Sequence, residues 1–138
     1  MSNLDSPIQN KPARGKYQIL IAEDDNSISN LLKMQLEIAG YKVLTSSDGK
    51  KALEDIANLK PSFVLMDISM PELDGFEVID ALKNQGFDTG SFQLTFLSNS
   101  STPGDIEKAS GYGADYRIKA ELSPKGLIEL IDNSLKIV

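Results

Sequence analysis

Hydrophobic positions along the chain alternate between two rhythms. Residues 18–22 form a short apolar run, after which Ile28, Leu31, Leu32, Leu36 and Ala39 recur near i, i+3, i+4 spacing until Gly40 stops them. The pair predicts a strand followed by a helix. The alternation continues with strands over 42–46, 63–66, 92–97 and 116–118, and helices over 50–59, 75–84, 105–110 and 125–137. Five β/α units result.

Runs such as Phe63-Val64-Leu65-Met66, without a polar face, suit strands covered on both sides by helices. The pattern therefore predicts a doubly wound α/β domain: a five-stranded parallel sheet with helices on both faces. Right-handed crossovers favour the strand order 2-1-3-4-5, which puts a ligand crevice at the carboxyl ends of strands 1 and 3. The fourth helix is the poorest. Pro103 and Gly104 precede it and only Ile106 and Ala109 offer core contacts, so it is expected to be the least stable. Residues 1–15 hold Pro7, Pro12 and Gly15 without hydrophobic period and read as a flexible leader. The folded domain is assigned to 16–138, with regular structure starting at Tyr17.

Composition narrows the chemistry. The 138 residues make one domain, and 41% hydrophobic residues can fill one core. A formal charge of −6 disfavours nucleic acid as a direct ligand. There is no cysteine and no histidine, which excludes thiolate zinc sites, cysteine nucleophiles, Ser-His-Asp triads and phosphohistidine. No apolar run approaches the ~20 residues that span a bilayer, and the start of the chain lacks a signal-peptide core. A cytoplasmic protein without membrane contact is expected.

What remains is carboxylates, hydroxyls and lysine, and these gather where the strands end. Strand 1 runs into Glu23-Asp24-Asp25, strand 3 into Asp67, strand 4 into Ser98 and strand 5 into Lys119. With strands ~4.8 Å apart, Asp24 and Ser98 flank Asp67, while Lys119 starts ~10 Å away, a gap that a lysine side chain spans. Carboxylates at ~4 Å repel by up to ~4 kcal/mol per pair at an effective dielectric near 20, so the rim invites a cation. An all-oxygen donor set suits Mg²⁺ or Mn²⁺ and leaves room for a phosphoryl group beside Asp67. A carboxylate can attack phosphorus to give an acyl phosphate, its oxygens neutralised by the metal and Lys119 and hydrogen-bonded by Ser98.

Singly, these residues have plainer roles. Asp25 or Asn26 would cap the first helix, Ser98 would form a turn with its own backbone, and Lys119 would lie along the surface. Asp67, directly after four apolar residues, is poorly explained as a cap. Glu54, Asp55, Glu77, Asp80, Glu129 and Asp132 fall on helical patterns and read as solvated faces.

Four segments carry a resemblance: ILIAEDD (19–25), FVLMDISMPELDGFE (63–77), FLSNS (96–100) and GADYRIK (113–119). Together they resemble the response-regulator receiver domain of two-component signalling, in its single-domain form, over residues 16–138. The Asp-x-x-Met-Pro-x-x-Asp-Gly string is the most specific of them. The resemblance implies a flavodoxin-like fold, Asp67 as phosphoacceptor, and a Mg²⁺ site. That site would comprise Asp67, Asp24, Glu23 through a metal-bound water, and the Ser69 carbonyl. It further implies Ser98 as switch hydroxyl, Lys119 as phosphate-binding cation, Tyr116 as switch aromatic, and Pro71 and Gly75 as shapers of the loop. The phosphodonor would be a histidine kinase or phosphotransfer protein. Output would be a downstream protein or a self-dimer through the fourth helix, fifth strand and fifth helix.

Three departures from that family stand out. Ala120 replaces the proline that usually follows the lysine in a cis bond, which predicts either a trans bond with a rearranged loop or a cis Lys119–Ala120 bond. Relative to the family, the loop before strand 4 (86–91) is longer by one residue and the one before Tyr116 shorter by one, so Tyr116 could sit differently. Ser98 stands where threonine is commoner. Two other readings compete: a receiver-like docking module that works without phosphorylation, and a phosphatase similar to the haloacid dehalogenases. The latter places a second aspartate two residues after its nucleophile, where this chain has Ser69.

Overall fold

A computed structural model describes residues 13–137. Residues 1–12, most of the expected leader, lie outside the described residues. The elements alternate as β1 (Gln18–Ala22), α1 (Asn26–Ile38), β2 (Lys42–Ser46), α2 (Gly49–Leu59), β3 (Phe63–Asp67), α3 (Gly75–Asn84), β4 (Gln93–Ser98), α4 (Pro103–Gly111), β5 (Asp115–Ile118) and α5 (Pro124–Ser134). All strand pairs are parallel, in the order β2-β1-β3-β4-β5. The expected doubly wound, flavodoxin-like architecture is present.

The two-residue period of the strands divides the core. Ile19 and Ile21 of β1 face one layer with Phe63, Leu65 and Leu97, where Leu36 of α1 and Leu127 and Ile131 of α5 cover them. Leu20 and Ala22 face the other with Val64, Met66 and Phe96, under Ala52 and Ile56 of α2, Phe76, Ile79 and Leu82 of α3, and Ala109 of α4. β3 is buried along its whole length, as its unbroken apolar run requires.

Caps explain where the helices start. Asp25 accepts from the Ser27 and Ile28 amides, Asp48 from Lys51, and Ser123 from Gly126. Asp74 and Glu77 form a reciprocal capping box on α3. α4 begins at Pro103, two residues earlier than expected, because proline fits the first helical position instead of merely preceding it. α5 ends at Ser134, three residues earlier than expected. Lys136 takes a left-handed backbone (φ 58°), and the amides of Lys136 and Ile137 turn back onto the Asn133 and Asp132 carbonyls. Ile137 still packs on the core beyond this cap, which is why the apolar period ran on past the helix.

Two further expectations are corrected. Structure begins before Tyr17: Arg14–Lys16 form a 3₁₀ turn, and Arg14 makes a forked ion pair with Asp132 on α5 (3.0 and 2.7 Å) while also donating to the Ala39 carbonyl. Asp132 is therefore not a solvated helix residue, and Tyr41 also donates to it. Asp55 likewise accepts from Ser46 and Lys51, whereas Asp80 accepts from Tyr112 but stays exposed, as expected. The extra residue before β4 is absorbed by a 3₁₀ turn at Thr89–Ser91 that Asp88 caps.

Candidate functional site

Register alone brings the predicted residues to one rim. Ala22 pairs with Met66, Asp67 with Leu97, and Ser98 with Ile118, so Glu23, Asp67, Ser98 and Lys119 leave the sheet side by side. Asp67 ends β3 and is 2% exposed; Glu23, just past β1, is 1% exposed; Asp24 next to it is exposed. The Glu23 amide donates to the Ser46 carbonyl at the end of β2, and Glu23 Oε2 accepts from the Asp25 amide (3.0 Å each). Sequence reasoning missed both supports. The only trace of the first was that β2 ends level with β1.

Lys119 closes the gap that the topology left to it. Its Nζ lies 2.9 Å from Asp67 Oδ2 and 2.6 Å from Glu23 Oε1. Asp67 Oδ1 accepts from the Ser69 amide at 3.1 Å, which draws the exposed Ser69 back over the acid. The described peptide bonds include no cis bond, so Lys119–Ala120 is trans. Residues Lys119–Glu121 form a 3₁₀ turn, the rearranged loop of the two alternatives. Gly75 allows α3 to start against the site: a Cβ there would fall 2.6 Å from the Asp67 carbonyl oxygen. Its amide donates to the Ile68 carbonyl.

Ser98 and Tyr116 are linked to each other through Ser100. Ser98 Oγ accepts from the Ser100 amide (3.3 Å), the turn that a lone serine would make. The Tyr116 hydroxyl donates to the Ser100 carbonyl (2.6 Å), so the shortened approach to β5 still brings this ring to the loop after β4.

Electrostatics follow from burial. Desolvation pushes the Glu23 carboxyl up to about 7, against the opposing pull of Lys119 and the Asp25 amide. Burial would lower Lys119, but Glu23 and Asp67 outweigh it, and its pKa is raised. The residues fit a hard divalent cation. Glu23, Asp24 and Asp67 each offer an oxygen within 4.8 Å of the others, an all-oxygen donor set of the kind such a cation takes.

Known proteins agree with this geometry. Residues 19–132 match the response regulator receiver domain family. The chain is 37% identical over 117 residues (83% of it) to a probable transcriptional regulator, ycf27, of Galdieria sulphuraria, and 34% identical over 108 residues (78%) to the alkaline phosphatase synthesis transcriptional regulatory protein PhoP of Bacillus subtilis. It spans 43% and 44% of those proteins, less than half their length. Among solved structures it is similar to a receiver domain protein (CheY-like) from Methanospirillum hungatei, with a TM-score of 0.78, 26% identity, and 87% and 94% of the two chains covered. It is also similar to the Francisella response regulator 1452 receiver domain, with 0.77, 27%, 87% and 97%.

Proposed function

Because the chain belongs to the response regulator receiver family, a family of phosphoacceptors rather than turnover enzymes, we propose that Asp67 receives a phosphoryl group from a phosphohistidine on a histidine kinase or phosphotransfer protein. The observation that carries this is the setting of Asp67: a buried carboxylate with an ammonium at 2.9 Å and two further carboxylates offering oxygens within 4.8 Å. An Asp67 oxygen attacks phosphorus, the phosphorus–nitrogen bond breaks, and its electron pair leaves with the imidazole. The product is a mixed anhydride, with no redox change. Bound at Glu23, Asp24, Asp67 and the Ser69 carbonyl, Mg²⁺ or Mn²⁺ would supply charge neutralisation to the phosphoryl oxygens. Lys119 holds a second positive charge on the same side, and the buried flank formed by Glu23 limits water.

The donor would dock beside Lys119. An apolar cavity of about 390 Å³ adjoins Lys119, walled by Ile28, Leu31 and Leu32 of α1 and by Ala120, Leu122 and Pro124. Once Asp67 is phosphorylated, the Ser98 hydroxyl, now an acceptor from the Ser100 amide, turns to donate to a phosphoryl oxygen, and Tyr116 loses its seat on the Ser100 carbonyl. Output then passes through the α4, β5 and α5 face to a partner protein or a second copy. That face carries a cavity of about 480 Å³ bordered by Ile106, Tyr116, Ile118 and Leu130. Asp67→Asn is expected to abolish Mg²⁺-dependent labelling by acetyl phosphate, read by mass spectrometry. Continued labelling of that variant at this rim would overturn the assignment.

A further inference from the structure

We infer that Gly49, the first residue of α2, is a positioning residue for the cation site, although α2 contributes no ligand to it. The inference rests on the reading above that the Ser69 carbonyl is one of the ligands. Glycine is a poor helix residue, so its place in the first turn of α2 calls for a reason. The reason is contact: Gly49 is buried, and a Cβ there would lie 2.0 Å from the Leu73 carbonyl oxygen and 2.7 Å from Leu73 C and Cβ. No other described glycine is approached so closely. Two of the three opposing atoms are backbone, so no side-chain rotation relieves the clash.

The loop on the far side of that contact carries Ser69. Its base is closed by the Gly75 amide on the Ile68 carbonyl (2.9 Å) and held to the sheet by the Ile68 amide on the Leu97 carbonyl (2.9 Å). Its tip is tied to α2 by the Gly49 amide on the Pro71 carbonyl (3.3 Å), and Asp48 braces that end of α2 by capping the Lys51 amide (2.8 Å). With the base fixed at Ile68 and Gly75, a displacement of Pro71–Leu73 is shared between Asp74 on one side and Ser69 and Met70 on the other. The absent side chain of Gly49 thereby sets the distance between α2 and the loop, and with it the place of the Ser69 carbonyl.

The test is a Mg²⁺ titration of the unphosphorylated full chain, followed by ¹H–¹⁵N NMR. Gly49→Ala is expected to raise the Mg²⁺ dissociation constant at least tenfold. Labelling by acetyl phosphate should need correspondingly more Mg²⁺ and return toward the wild-type rate at saturation. Ile56→Val, a buried change on the same helix, lowers the melting temperature and leaves the dissociation constant unchanged. If Gly49→Ala does not fold, Asp48→Ala, which frees the end of α2, should weaken Mg²⁺ binding several-fold more than Asp48→Asn, which keeps a cap. Wild-type affinity in Gly49→Ala, equal weakening in Ile56→Val, or no difference between the two Asp48 variants overturns the inference alone. Absence of Mg²⁺ binding by the wild-type chain overturns the reading of the site, and the inference with it.

Discussion

Lys119 Nζ reaches Asp67 Oδ2 at 2.9 Å although β4 stands between their strands, and it touches Glu23 at the same time. The ammonium therefore engages two of the three carboxylates that could hold a divalent cation. Its raised pKa keeps it charged at neutral pH. A unit charge ~4 Å from such a site is worth about 1 to 4 kcal/mol between dielectric constants of 80 and 20. Lys119→Met is accordingly expected to bind Mg²⁺ about tenfold more tightly than wild type. In cation-free buffer it should be less stable, because Glu23 and Asp67 then face each other uncompensated. Calorimetric titration and thermal melts with and without Mg²⁺ check both. Unchanged or weaker Mg²⁺ binding would contradict the competition.

The second ion pair lies among α1, α5 and the start of β2. Asp132 receives the fork of Arg14 and the Tyr41 hydroxyl, and both its side chain and that of Arg14 are largely covered. Burial alone would raise the Asp132 carboxyl, but Arg14 and Tyr41 outweigh it and hold it below its usual value. A depressed carboxylate contributes stability that is present above the unfolded pKa, near ~3.9, and is lost as pH falls through the lower folded value. Asp132→Asn should cost about 2 kcal/mol at pH 7, and its stability difference from wild type should shrink below pH ~4. Denaturant melts from pH 7 to pH 2.5 measure this. A difference independent of pH would show that the charge is not what matters.

The rim was legible in the sequence because its residues lie at or just past the carboxyl ends of strands, and the strand order fixes which ends are neighbours. Glu23, Asp24, Asp67, Ser98 and Lys119 needed only that order and a side chain long enough to cross β4. Contacts that join distant segments left no such trace. Arg14 and Asp132 are 118 residues apart, and an acid on an amphipathic helix looks the same whether water or an arginine faces it. Gly49 gave only a weak sign, a poor helix former beside a good cap. Helix ends were misplaced where local chemistry overrode the apolar period, at Pro103 and at Lys136.

The capping box on α3 gives a prediction of known scale. Asp74 accepts from the Glu77 amide at 2.8 Å and its own amide donates to Glu77 Oε1 at 2.9 Å, just where the loop after Asp67 re-enters a helix. Asp74→Ala should destabilise the protein by about 1 kcal/mol, and Glu77→Ala by less, since it leaves the Asp74 acceptor in place. The double variant should lose less than the sum, because both substitutions break one reciprocal motif. Urea melts of the three variants test this, and strict additivity would mean that the two bonds act independently.

The helix with the least support is α4. Ala109 is its one buried residue, and Thr102 at its start makes no side-chain cap, although its position calls for one. Backbone amides of α4 are therefore expected to exchange with deuterium sooner than those of α3, which buries five residues and is boxed at its start. Thr102→Asp adds an acceptor and a negative charge at the amino end of the helix dipole, worth roughly 0.5 to 1 kcal/mol. Protection within α4 should rise about two- to fivefold while α3 stays unchanged. If low stability of α4 is what lets phosphorylation of Asp67 move the α4, β5 and α5 face, the same variant should still be labelled by acetyl phosphate but bind its phosphorylation-dependent partner more weakly. Equal protection in α3 and α4 of the wild-type chain, or a Thr102→Asp variant whose α4 exchanges as before, would remove α4 as the element on which the switch acts.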